Sequence, residues 1–281
     1  VRDVAAALDA TQGPDVGAPY TAPPPQRPFL TEVGASPGKL RIAYSAEPLL
    51  RRGKLDSECI HALQETVDFL RTLGHELVQA TPPHDVDVFA QGYLLRGVAA
   101  TAGDVREASQ ILGRRLHPDE LEPETWALAR LGDSFTAADL DSQNRALLCQ
   151  ARLFARYMEK YDVFLTPTLA KPPVPHGEFK VKGAEKILAS ILRHVGLGRL
   201  PRHLPVLKRL AEQNFQWVAA TQVMNITGQP SVSLPLWWSN DNLPIGMMFT
   251  ARIYDDATLF RLAGQLEKER PWKDKRPPVH A

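Results

Sequence analysis

The sequence predicts an α/β fold, with strands and helices layered in one domain. Three observations predict it. Residues 39–79 read as strand, helix, strand, the spacing of a βαβ unit. Short apolar strand segments then alternate with amphipathic helical segments to the C-terminus. No second composition regime and no internal repeat sets in, so residues 1–281 read as a single α/β domain.

The elements follow in order. In residues 1–10, Val1, Val4 and Leu8 share one helical face with Ala5 beside them. Gly13-Pro14 stops that helix. No capping residue precedes it, as expected of a chain cut from a longer one. Residues 17–28 are Pro-rich and read as an extended surface connection. Lys39-Leu-Arg-Ile-Ala-Tyr44 alternates as a strand does. A helix capped by Asp56 or Ser57 presents Ile60, Leu63, Val67 and Leu70 on its apolar stripe. Gly74 occupies its C′ position, and His75-Glu-Leu-Val-Gln79 is the second, parallel strand.

Residues 85–132 read as broken helix. Thr136-x-x-Asp139 resembles a capping box and opens a long helix with Leu140, Leu147, Ala151, Phe154 and Met158 inward. Asp162-Val-Phe-Leu-Thr166 is a buried strand, ended by Thr166-Pro-Thr168 and a rigid loop at Lys171-Pro-Pro-Val-Pro175. Helical stretches are predicted at about 184–197 and 205–224. Ser231–Pro235 and Ile245–Phe249 are short strands. Asp256 caps a last helix with Leu259, Leu262, Ala263 and Leu266 inward, and residues 270–281 form a polar tail.

Bulk properties exclude several classes. Lys+Arg number 33 and Asp+Glu 32, which gives no case for nucleic acid or a membrane as the main partner. No apolar run is long enough to span a bilayer. The two cysteines, Cys59 and Cys149, make neither a metal motif nor a disulfide framework. A reducing compartment follows, so the expected localisation is cytoplasmic. None of the eight histidines makes a helical zinc pair, and no metal or other cofactor is implied. Gly34-Ala-Ser-Pro-Gly38-Lys39-Leu40 is one residue short of a phosphate loop, lacks its Ser or Thr, and precedes a strand. The basic run Arg193, His194, Arg199, Arg202, His203, Lys208 and Arg209 has no interleaved aromatics and reads as a solvated face.

Ser231 and Ser233 lie in apolar strand context without the Gly-rich turn that exposes a nucleophile. They read as structural. Asn225-Ile-Thr-Gly228 follows a helix end predicted near Met224, and Gly228 permits positive φ. Asn225 and Thr227 either pin that turn through side-chain to backbone bonds or line a pocket.

Four segments in register carry a resemblance to the amidase-signature family. Tyr161-Asp-Val-Phe-Leu-Thr-Pro-Thr168 resembles its "YDvllTPt" segment, and Asn225 to Pro235 its "N.tG.Pa.s.P" segment. Leu243-Pro-Ile-Gly246 resembles the "lP.G.q" strand, and Asp256–Ala263 the closing helix. Arg2–Asp9 is similar to the helix that follows the family's catalytic core. The ending Arg270-Pro-Trp272 to His280 looks similar to amidases acting on linear or cyclic amides, such as 6-aminohexanoate cyclic-dimer hydrolases.

The resemblance implies a mixed sheet flanked by helices, the C-terminal portion of an amidase-signature fold. It also implies a carbon–nitrogen hydrolase of Ser–Ser–Lys type, acting on a small-molecule amide without a cofactor. In that family the two serines, the lysine and the oxyanion loop precede the segment matching Arg2–Asp9. No catalytic residue is therefore carried over, and the chain alone is expected to be inactive and to expose apolar surface. Substrate-binding positions carried over by polar-turn character and resemblance are Thr168, Asn225, Thr227 and Gly228. The alternative is a noncatalytic binding or assembly protein derived from an amidase; a homo-oligomer is compatible with either.

Overall fold

The computed structural model describes residues 1–50, 53–177, 215–218 and 220–276. Its elements, in chain order, are α1 (Arg2–Thr11), α2 (Phe29–Glu32), β1 (Arg41–Tyr44), α3 (Ser57–Thr72), β2 (Glu76–Gln79), α4 (Val86–Ile111), a 3₁₀ turn (Pro118–Glu120), α5 (Pro123–Gly132), α6 (Ala137–Met158), β3 (Val163–Pro167), α7 (Thr221–Thr227), β4 (Ser231–Trp238), β5 (Pro244–Ala251) and α8 (Asp256–Glu269). The helix expected at 184–197, most of that expected at 205–224, the basic run 193–209 and the end of the tail lie outside the described residues. By its internal contacts the chain divides into two compact units. One comprises Val1–His84, Ala151–Pro173 and Trp217–Ala281; the other comprises Asp85–Gln150 and Val174–Gln216.

The first unit is built on a five-stranded sheet in the order β2-β1-β3-β5-β4. β1 pairs in parallel with β2 (Ile42 opposite Leu77) and with β3 (Ala43 opposite Phe164). β5 is antiparallel to β3 and to β4, so the sheet is mixed. The βαβ unit forms because α3 is well terminated at both ends. The Asp56 carboxylate accepts from Glu58 N at 2.9 Å. Gly74, at φ +90°, lets Gly74 N reach Arg71 O and His75 N reach Leu70 O.

Strand residues alternate between two faces. Ile42, Val163, Leu165, Leu234, Leu236, Met247 and Phe249 point to one face and form a core with Leu63, Val67 and Leu70 of α3 and Leu259, Leu262 and Leu266 of α8. On the other face, Phe164 meets Phe154 and Tyr157 of α6 edge-on, with ring centroids 6.0 and 5.9 Å away. The Tyr157 hydroxyl donates to Ala80 O at 2.8 Å. Covered on both faces, β3 is buried at all five positions, which explains its unbroken apolar run.

Three local expectations are corrected. In α1 the buried residue is Ala5, while Val4 is 64% exposed. Asp9, on the Ala5 face, accepts from Phe29 N at 2.7 Å and Leu30 N at 2.9 Å, and this turns the small Ala5 inward. In α3 Ile60 is exposed, and Cys59, Ala62 and Thr66 complete the buried stripe. The α8 cap is Asp255, whose carboxylate accepts from Thr258 N at 3.2 Å, and not Asp256. Residues 17–28 run along the surface without regular structure.

In the second unit Asp85 caps α4 by accepting from Asp87 N and Val88 N. Helices α4 and α5 approach so closely at Gly132 that a side chain there would fall on the Val98 carbonyl oxygen. The capping box opens α6 as the sequence predicts. Thr136 N donates to the Asp139 carboxylate at 2.8 Å, and Asp139 N donates to Thr136 Oγ1 at 3.2 Å. Among the described residues no helix is long and apolar enough to cross a membrane.

Candidate functional site

The parallel strands β1 and β3 end at the same side of the sheet, where open α/β sheets place their ligands. Thr168 is the first residue beyond β3 there. It continues the ladder by donating from its N–H to Gly246 O at 2.9 Å. Its hydroxyl lies 2.6 Å from that of Ser233 on β4, and Ser233 is exposed. This approach depends on Gly246. A Cβ at that position would stand 2.6 Å from Ser233 Oγ and 2.8 Å from Thr168 Oγ1. The loop after Thr168 is pinned from both sides. Ala170 N donates to Trp217 O, Asp56 N donates to Ala170 O, and the Lys171 ammonium stands 4.7 Å over the Trp217 ring. At the end of β1 a second hydroxyl pair, Ser45 and Thr81, is 2.8 Å apart.

Asn225, Thr227 and Gly228 stand elsewhere. Helix α7 runs to Thr227, three residues past the predicted end, so Asn225 and Thr227 belong to its last turn. Asn225 is exposed. Thr227 is buried, and its hydroxyl donates to Val223 O at 3.0 Å. Gly228 ends the helix at φ +83°, with its N–H on Met224 O at 2.9 Å. Three residues later Ser231 shares a rung with Thr250 and Phe164, near the start of β3. That rung is four positions from Thr168, about 13 Å along the strand. Thr168 therefore stands at the carboxyl end of β3, whereas Gly228, which ends α7, lies three residues before the Ser231 rung near the start of β3.

Sequence reasoning passed over Ser233 and Gly246 as site residues. The available signal was the isolated glycine inside the 244–251 strand, which marks a close approach. Ser231 pairs with Thr250 at 2.8 Å, and Thr250 is buried. Cys59 is buried. Burial first, then the Asp56 and Glu58 carboxylates, push its thiol up to about 12. Gln229 is buried and its Oε1 has no partner among the described residues. Gly228→Ala is expected to cost about 1 kcal/mol in urea unfolding, because alanine resists positive φ. The nearest atom to an added Cβ is Ile253 Cδ1 at 3.7 Å, so crowding adds little, and Gly228→Asn should cost less than Gly228→Ala.

Fold and site define an α/β protein with a mixed sheet and a hydroxyl-lined edge at the carboxyl end of its parallel strands. Comparison with known proteins makes the assignment specific: the family model described as Amidase matches residues 1–195, and the chain belongs to the amidase family. It is 31% identical over 283 residues to the putative amidase AmiB2 of Mycobacterium tuberculosis (strain ATCC 25618 / H37Rv), covering 99% of this chain and 52% of that protein. It is 28% identical to the 6-aminohexanoate-cyclic-dimer hydrolase of Pseudomonas sp. (strain NK87), covering 99% of this chain and 53% of the relative. A solved structure of 6-aminohexanoate cyclic dimer hydrolase superposes with a TM-score of 0.80 at 27% identity, covering 99% of this chain and 55% of that one. The chain thus spans about half the length of the curated relatives it matches.

Proposed function

We propose that this chain is the C-terminal, substrate-side part of an amide hydrolase, its 281 residues belonging to one amidase domain. The reading takes the reaction to be Ser–Ser–Lys amide hydrolysis. One serine attacks the substrate carbonyl, a second relays its proton to a neutral lysine, and backbone N–H groups hold the oxyanion. None of those three side chains is assigned to a residue of this sequence. The observation that carries the reading is the likeness of 99% of the chain to about half of a 6-aminohexanoate cyclic dimer hydrolase, in sequence and in fold. The partners of Ser231 and Ser233 support it. Each hydroxyl pairs with a threonine, and among the described residues neither has a lysine or histidine as its hydrogen-bonding partner.

In this reading Thr168 belongs to the pocket wall, while Asn225, Thr227 and Gly228 hold the end of α7 and set the entry into β4. The substrate is a small linear or cyclic amide, and the compartment is the cytoplasm. The test is hydrolysis of a simple aryl amide by the purified chain. No turnover above background is expected; turnover that is abolished by a serine-directed inhibitor would overturn the assignment of catalysis to residues outside this chain.

A further inference from the structure

The Thr168 and Ser233 hydroxyls share one hydrogen bond at 2.6 Å. Whichever hydroxyl donates, the other keeps its own O–H free to donate outward, and lone pairs remain free to accept. The pair therefore presents one donor and one acceptor side by side. That arrangement matches a carboxamide, which offers a carbonyl oxygen and an N–H. The strand residues around it, Thr166, Pro167, Pro235, Gly246 and Met248, carry no charge. The first charged side chain after Thr168, that of Lys171, is held over the Trp217 ring. A carboxylate or an ammonium group would find no adjacent counter-charge among these residues, and a neutral amide needs none.

The second pair on this face behaves differently. Ser231 bonds Thr250, which is fully buried, so one of its two hydroxyls has no outward surface. Of these two pairs, the Thr168–Ser233 pair alone has neither hydroxyl on a buried residue, and it lies over Gly246, whose missing side chain admits both oxygens.

We propose that the Thr168–Ser233 hydroxyl pair, admitted by the missing side chain of Gly246, is a subsite that hydrogen-bonds a neutral carboxamide group of the substrate, with Ser233 as a specificity-determining residue. This rests on the amide-hydrolase reading but is tested by binding, so that its failure is separable from failure of turnover. The isotope-labelled chain is titrated with hexanamide, hexanoate and hexylammonium while backbone amide resonances are followed. Hexanamide is expected to shift the Thr168, Ser233 and Gly246 signals, and the two ions to leave them in place.

Ser233→Ala should weaken hexanamide binding about fivefold, the loss of one neutral hydrogen bond. Gly246→Ala should abolish binding by forcing the hydroxyls apart. Ser231→Ala should bind as the unsubstituted chain does, which separates a local effect from general destabilisation. The proposal is overturned if hexanamide leaves these signals unmoved, if either ion shifts them equally, or if Ser233→Ala binds as tightly as the unsubstituted chain. It is also overturned if Ser231→Ala weakens binding as much as Ser233→Ala does.

Discussion

Gly264→Ala is expected to destabilise the first unit by about 3 kcal/mol, the upper range of overpacking substitutions. Gly264 lies within α8, and a Cβ there would fall on the Val33 carbonyl oxygen, with Val33 Cγ1 3.2 Å away. The obstacle is backbone and cannot swing aside as a side-chain tip can. Residues next to it are also fixed. Phe29 packs on Phe260 of the same α8 face, with ring centroids 5.4 Å apart. Helix propensity alone predicts the reverse, since alanine is better than glycine in a helix interior by about 1 kcal/mol. The sign of the change therefore isolates the contact. Urea unfolding measures it; a midpoint equal to or above that of the unsubstituted chain would contradict the close packing of α8 on the Glu32–Val33 backbone.

Glu32→Ala is expected to cost about 3 kcal/mol, toward the low end for breaking a buried ion pair because both arginines retain access to solvent. Glu32 is 2% exposed and is held by three charge-assisted bonds. Arg27 donates from Nε at 2.6 Å and from Nη2 at 2.7 Å, and Arg261 donates from Nε at 2.5 Å. The cluster ties the end of the Pro-rich connection and α2 to α8. The hydrogen bonds from Arg27 and then Arg261 hold the Glu32 carboxyl at about 2, below its ordinary 4.5. A folded-state value below the unfolded one adds stability that is fully present above pH 4.5 and is lost as pH falls through about 2. The stability gap between the unsubstituted chain and Glu32→Gln should therefore narrow across that window. A gap constant from neutral pH down to pH 2 would remove the ion cluster from the account.

Much of the sheet was legible because its signals are local. Alternation in 39–44, Gly74 at a helix end, the Thr136–Asp139 box and the apolar run of 162–166 each have one economical physical reading. The errors arise where tertiary contacts choose among near-equal local options. Val4 and Ala5 are neighbours on a helix, and the Asp9 bonds to α2 decide which turns inward. Asp255 and Asp256 are both residue types that cap helices, and the structure caps α8 with Asp255, which accepts from Thr258 N. The site was legible in part. Thr168 was found, but its partner Ser233 read as an ordinary strand serine because pairing across β5 to a residue 65 positions away leaves no mark in sequence spacing. Asn225, Thr227 and Gly228 were joined to Thr168 by resemblance and polar-turn character; in the structure they form the last turn and end of α7, three or more residues before the Ser231 rung.

The most direct test of the central claim joins this chain to the part of the Pseudomonas 6-aminohexanoate-cyclic-dimer hydrolase that it does not match, in the order that the proposed C-terminal placement requires. Amide hydrolysis by the fusion is then measured beside each part alone. The account predicts turnover of linear or cyclic amides by the fusion and none by either part. A folded, soluble fusion without turnover, or turnover by this chain alone, would contradict it.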